Sequence, residues 1–449
     1  MAEIGILEVN LGAPTALALG RALIIAGLAV AVAAWLSGWL AAQRGRRRTF
    51  AWALLLAPFF TPPLLISYAF SKFALALVAA PWSHEALYIG VLALKLTPVA
   101  VIVRRLVPPP LSAPAWHVYR MLGIASWRER VLFRLRGAGR SPWLAAGVVF
   151  LLAFADFELA SLWSVKTWTV AIFDAQIGGL ALGETLRLAA IPLAVQIALL
   201  ALGAWNRHDF AAVALREERS ASRAAWTYLI ASSLLICAVP LGIVSAQAVS
   251  GWRTLSAHFI LTREIGASVF FALAAALLAD LGARLGRRRR AAVLLAVPGL
   301  LGALVVALLV LALFQRPALR PAYDTPLPLI LALALGLLPL AFMLRALTPR
   351  TTPALHLARQ TGSRRVLWPL QTRPRVIAFG ALFYWAYFDF TASSILAPVG
   401  FTPVFVRLHN LAHYGQTDAL SAMMLAAFAV PILTVLLAGA VARFTAGRR

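Results

Sequence analysis

Apolar runs of about 20 residues, separated by short arginine-rich stretches, recur from one end of this 449-residue chain to the other. Each run is long enough to cross a hydrocarbon layer of about 30 Å as an α-helix, the form that satisfies every backbone group from within. The pattern therefore calls for a polytopic all-α membrane protein. Composition agrees: 62% of residues are hydrophobic and 13% charged, and the mean hydropathy is +0.84. A water-soluble domain of this size could not keep such a surface in solution. No stretch is long and polar enough to form a separate soluble domain.

The runs predict eleven transmembrane helices, at 15–41, 50–71, 86–106, 143–164, 183–205, 224–247, 258–283, 291–315, 326–347, 376–397 and 420–442. Taking the loops after the odd-numbered spans as cytoplasmic collects most of the 41 Lys and Arg residues on one side. The positive-inside rule then sets the N-terminus outside and the C-terminus in the cytoplasm. The net charge of +25 reads as a set of topological signals, with no nucleic acid implied. Arg44, Arg46, Arg47 and Arg48, and the run Arg287 to Arg290, fit stop-transfer anchors and fit lipid headgroups equally well. Cys237, alone and inside an apolar run, leaves no disulfide or thiolate metal site. The opening MAEIGILEVNLG has no basic region, which argues against a cleaved signal peptide; the first span serves as its own insertion signal.

Two short stretches repeat. PAWHVYRMLG at 114–123 and PALHLARQTG at 353–362 share Pro, Ala, His, Arg and Gly at matching offsets. Each is followed by a basic segment and then an apolar run with an Asp-Phe pair, Asp156-Phe157 and Asp389-Phe390. Each is preceded by a run with a proline six residues before an arginine, Pro98 before Arg104 and Pro339 before Arg345. One membrane unit is thus written twice. The halves run 1–215, with about five spans and a cytoplasmic segment at 114–141, and 216–449, with about six spans and a segment at 350–374.

This arrangement resembles the inner-membrane permeases of binding-protein-dependent ABC importers. Their mark is a cytoplasmic Glu-Ala-Ala, three residues, Gly, nine residues, then Ile-x-Leu-Pro. Gly123 and Gly362 take the motif glycine and Pro369 the proline after the leucine. His117 and His356 replace the glutamate, Arg136 stands at the first copy's proline position, and six residues separate Gly362 from Pro369 where the pattern has twelve. Two copies in one chain are similar to the fused, double-length permeases of ferric iron and thiamine uptake.

The resemblance implies a type I importer permease fold in a bacterial inner membrane. It also implies a separate ATP-binding cassette ATPase on the cytoplasmic face and a soluble substrate-binding protein outside. The ATPase-coupling residues would be His117, Arg120, Gly123, Trp127, His356, Arg359, Gly362 and Pro369. Physically, a short helix joined through a glycine can lie in a partner's groove and pass its movement to the spans on either side. The chain has no Gly-x-x-x-x-Gly-Lys-Ser/Thr loop and no nucleophile-base pair, so it is read as a transport subunit and not an enzyme, with no cofactor.

Charges inside apolar runs are the other candidates, because each costs a few kcal/mol unless it meets a cavity or a partner. Lys95, Asp156, Glu158 and Asp389 are read as possible members of a translocation path. Asp156 and Asp389 share a repeat position, so they either line that path or tie neighbouring helices together. As proton carriers they would instead suit a secondary transporter driven by an ion gradient. Lys95, whose counterpart is Gly336, is a candidate partner for Asp156. His409, His413 and Tyr414 are of types that handle a ferric ion and that equally cap helices and face water. Prolines within runs, Pro62-Pro63, Pro98, Pro298 and Pro339, predict bent helices.

Overall fold

Small residues at helical spacing let two helices approach closely where no hydrophobic force separates them from lipid. The first helix of this chain, α1 (Gly12–Ala42), turns such a stripe inward, burying Ala18, Arg21, Ala22, Ile25, Ala26, Ala29, Ala33 and Leu36. In the computed structural model the described residues are 11–77, 80–107, 141–205, 222–258, 261–286, 294–347, 372–413 and 417–447, with isolated positions between them. Their regular structure is all helix, with no strand among them.

After α1 come α2 (Gly45–Phe60), α3 (Pro63–Leu77), α4 (Pro81–Leu106), α5 (Ser141–Phe154), α6 (Glu158–Leu162) and α7 (Trp168–Ile177). Then follow α8 (Leu182–Leu188), α9 (Ala190–Trp205), α10 (Ser222–Ser233), a π turn at Leu234–Ala238 and α11 (Val239–His258). The remainder is α12 (Thr262–Gly286), α13 (Val297–Leu300), α14 (Ala303–Phe314), α15 (Leu327–Leu347), α16 (Arg373–Tyr387), α17 (Thr391–Leu396), α18 (Val404–His413) and α19 (Thr417–Gly447). By contacts the chain forms two units, Met1–Thr61 with Phe70–Ala238, and Pro62–Ala69 with Val239–Arg449.

Six helical stretches are long and apolar enough to cross a membrane: Gly12–Ala42, Pro81–Leu106, Ser141–Leu162, Arg223–Trp252, Thr262–Gly286 and Leu327–Leu347. Counting each sharply bent pair as one span raises the number to nine among the described residues. This is a multi-pass helical membrane protein. Three stretches expected as single helices are broken. The run at 50–71 breaks where Pro62 and Pro63 remove two adjacent donors. The run at 183–205 bends by 52° before Pro192, and that at 291–315 by 117° at Gly302, whose φ of 102° suits glycine. The other two expected spans, 376–397 and 420–442, hold α16 with α17, and α19, whose apolar part is Ala419–Thr434.

Each unit is built on the same three-helix packing. In the first, α1 packs on α4 and α5, which also pack on each other; in the second, α12 packs on α15 and α16, which do the same. The buried residues of α12 are Ala267, Ser268, Phe271, Ala272, Ala275, Ala276, Ala279, Ala283 and Gly286. All but Ala267 lie 250 positions after a buried residue of α1, from Ala18 to Ser268 through Leu36 to Gly286. The shift becomes 241 for α4 and α15, from Pro98 to Pro339, and 233 for the Asp-Phe pairs, from Asp156 to Asp389. The second copy is therefore the shorter in both intervening stretches, while its buried faces keep their register.

At Pro339 the α15 helix carries a close approach. Pro339 cannot donate to the Leu335 carbonyl four residues back, and Gly299 on α13 packs onto that spot. A Cβ on Gly299 would lie 2.5 Å from Leu335 O and 2.8 Å from Pro339 Cδ. These are backbone and ring atoms that cannot swing aside, so Gly299→Ala should cost about 1–3 kcal/mol. Gly336→Ala, with nothing within 4 Å of the new methyl, should leave stability near wild type. Thermal unfolding of the two detergent-purified variants checks this, and equal midpoints would refute the packing argument.

Candidate functional site

A charge placed inside an apolar helix must find a partner there, and the first unit gathers several. Arg21 on α1 donates from Nε to Glu85 Oε2 at 2.6 Å, and its Nη2 meets Glu85 Oε1. Its Nη1 donates to the Lys166 carbonyl at 2.6 Å. The same guanidinium sits 6.0 Å from the centre of the Tyr88 ring. Tyr88 is fully buried, and its hydroxyl donates to Asp156 Oδ2 at 3.0 Å. Arg21, Glu85, Tyr88 and Asp156 thus form one connected polar line through α1, α4 and the end of α5.

Asp156 stands at a helix break. The α5 helix stops at Phe154 and α6 starts at Glu158, and Asp156 Oδ2 accepts the Ala160 N–H at 3.2 Å. Carbonyls left over at the break also find donors. Trp168 Nε1 donates to Phe154 O at 2.8 Å, and Thr169 Oγ1 donates to Asp156 O at 2.7 Å. The second unit repeats the device. Asp389, between α16 and α17, accepts the N–H groups of Ala392 at 2.9 Å and Ser393 at 3.3 Å. Both acids, expected on a translocation path or as helix ties, cap the short helix that follows them.

Lys95, buried on α4, meets a different set of partners from the one expected. Its Nζ donates to Phe59 O at 3.2 Å and to Thr61 O. The reason lies in the Pro62-Pro63 break. The Phe59 carbonyl would ordinarily accept from residue 63, which is proline and has no N–H. Thr61 is the C-cap of α2 with an extended backbone, so its carbonyl points away from the helix ladder. The ammonium supplies the donors that the two prolines removed. Glu158 and Asp156 lie within electrostatic reach of it. Thr61 adds a bond from Oγ1 to Ala57 O at 2.9 Å and a 2.8 Å contact with Cys237 Sγ.

Arg21, Glu85 and Tyr88 are members that the sequence reading passed over; the signal was Arg21, a lone cation within an apolar run. In the second unit the positions matching Arg21, Tyr88, Lys95 and Glu158 are Phe271, Leu329, Gly336 and Thr391. The polar line therefore belongs to the first copy alone. Among the described residues no group of three or more His, Cys, Asp or Glu side chains could hold a metal ion. His409 instead stacks on the Phe390 ring at 4.1 Å.

The expected coupling residues His117, Arg120, Gly123, Trp127, His356, Arg359, Gly362 and Pro369 lie outside the described residues. Within the same stretch, Ser126 and Glu129 bond reciprocally, Glu129 Oε2 accepting from Ser126 N and Ser126 Oγ from Glu129 N. This capping box starts a helix. Val118 and Met121, both helical and three residues apart, are 55% and 76% exposed. No family model, curated protein or solved structure matches the chain.

If Lys95 stabilises the α2 break, Lys95→Met strands two carbonyls and should lower stability by about 1–3 kcal/mol. A Lys95→Met protein that unfolds at the wild-type temperature would sink that role. At the second cap, Asp389→Ala should cost about 1 kcal/mol while Asp389→Asn, which still accepts, costs less. The same thermal-unfolding measurement ranks the two.

Proposed function

We propose that this chain is the permease subunit of a binding-protein-dependent ABC importer, with two fused halves, eleven spans and both arginine-rich segments on the cytoplasmic side of a bacterial inner membrane. The observation that carries the reading is the position of the repeated segment within a repeated packing. Residues 114–141 join α4 to α5, and residues 350–374 join α15 to α16. Those are the two helices that pack on α1 in one unit and on α12 in the other. A push on either segment thus reaches two of three packed helices directly and the third through its alanine stripe. The exposed pair Val118 and Met121, beside a segment with its own helix start at Ser126, provides an apolar face for an ATPase groove.

In this reading the spans enclose a path that opens alternately to each side as the ATPase closes and reopens. The cargo is a small solute delivered by an outer-face binding protein, ferric iron or thiamine by resemblance. A gradient-driven transporter using Asp156 and Asp389 as proton carriers is the rival, and the backbone bonds that occupy both carboxylates weigh against it.

Co-purification of the detergent-extracted protein with its candidate ATPase tests the proposal. Wild type should retain the ATPase, and Gly123→Pro or Gly362→Pro should release it, since proline stiffens the joint the motif needs. Transport that ignores ATP and stops with Asp156→Asn would move the rival to the front.

A further inference from the structure

Polar side chains inside apolar helices need partners there, and three in the second unit find one another. Tyr68 on α3, Gln247 on α11 and Ser421 on α19 each sit in an apolar helical stretch, and all three belong to that unit. Gln247 Oε1 lies 2.9 Å from the Tyr68 hydroxyl and 3.1 Å from Ser421 Oγ, both of which can donate to it, and the two hydroxyls are 2.8 Å apart. A hydroxyl carries one proton. No more than two protons therefore serve the three contacts, and at least one contact sets lone pairs against each other. The bonds of Gln247 run to its Oε1 and its main-chain carbonyl, so the two N–H donors of Nε2 have no acceptor among the described residues. The cluster is short of a proton on its oxygens and short of an acceptor on its nitrogen.

These groups do not face lipid. Ser421 is fully buried, and Tyr68 and Gln247 are half-buried. Gln247 shares the inward face of α11 with Val244 and Ala248, whereas Val249, 78% exposed, marks the opposite face. Two of the three helices are also interrupted. The α3 helix starts at the Pro62-Pro63 break shortly before Tyr68, and α11 follows the π turn at Leu234–Ala238. Broken helices and π turns gather at the binding sites of membrane transporters and other proteins.

We infer that Tyr68, Gln247 and Ser421 form a station for a small uncharged solute bearing hydroxyl or amide groups. Such a group both donates and accepts, so it supplies the missing proton to the oxygens and takes the hydrogen bond that Nε2 offers. The three side chains include no charge, imidazole or thiolate, and so they neither balance an ionic solute nor ligate a bare metal ion. The station rests on the reading of the chain as a solute carrier, whichever source of energy drives it.

Cysteine labelling of the full-length protein tests it, because the thiolate that reacts with a charged methanethiosulfonate forms only where water reaches. Cys237, the sole cysteine, is changed to Ser, and Tyr68→Cys, Gln247→Cys and Val249→Cys are made in that background. The membranes are opened so that reagent meets both faces. Tyr68→Cys and Gln247→Cys should react, while Val249→Cys, against lipid, should not. Cationic and anionic reagents should label both station positions in a ratio within about threefold of that for a free thiol, since a unit charge beside them would shift it about tenfold or more. If both positions resist as Val249→Cys does, the cluster is only a helix tie and the station is refuted; two positions keep the test decisive should one variant misfold. A larger preference for either sign overturns the uncharged solute. Labelling needs no ATPase, so its failure is distinct from a failure of co-purification.

Discussion

A carbonyl without a donor inside an apolar helix is the constraint on which this structure turns. Water is absent from the hydrocarbon region, so every break in a spanning helix needs a substitute donor from another part of the protein. The chain breaks its helices often, and at the breaks with described partners the substitute is a residue drawn from elsewhere in the same unit. Lys95 serves the carbonyls of Phe59 and Thr61, while Trp168 and Thr169 serve those of Phe154 and Asp156. These bonds fix the bent conformation at each break.

The two units share their packing and differ in their chemistry. The inward stripes of α1 and α12 keep one spacing through a constant shift of 250 positions. Yet Arg21 becomes Phe271 and Lys95 becomes Gly336. Where the first unit serves the carbonyls of a break with an ammonium, the second sets Gly299 close against Leu335 O, the carbonyl that Pro339 leaves without its helical donor.

Much of the architecture was legible from residue order. Apolar run lengths called for helices, and the Asp-Phe pairs at 156 and 389 announced a repeated structural event. What that event was could not be read, because capping depends on where a backbone stops being helical. The partner of Lys95 escaped for a similar reason: it donates to main-chain oxygens, which carry no residue signature. The kinship of α1 and α12 was hidden because alanine is too common to align by identity; only the burial pattern exposes it. Breaks at Pro62-Pro63 were foreseeable as bends, whereas the sharp turn at Gly302 needed the φ of 102° to be seen.

The inward stripes have a further consequence for how such a protein tolerates change. Five of the eight matched stripe positions of α1, and five of those of α12, are already alanine. Truncating side chains to their smallest form, the usual way of finding a core, would therefore leave most of this interface untouched and report it as dispensable. Its vulnerability runs in the other direction: one added methylene on either stripe separates two backbones along their length. Ala22 and Ala272, Ala26 and Ala276, Ala29 and Ala279, and Ala33 and Ala283 match between the stripes, so the positions that set the closest approach offer the fewest distinguishing letters.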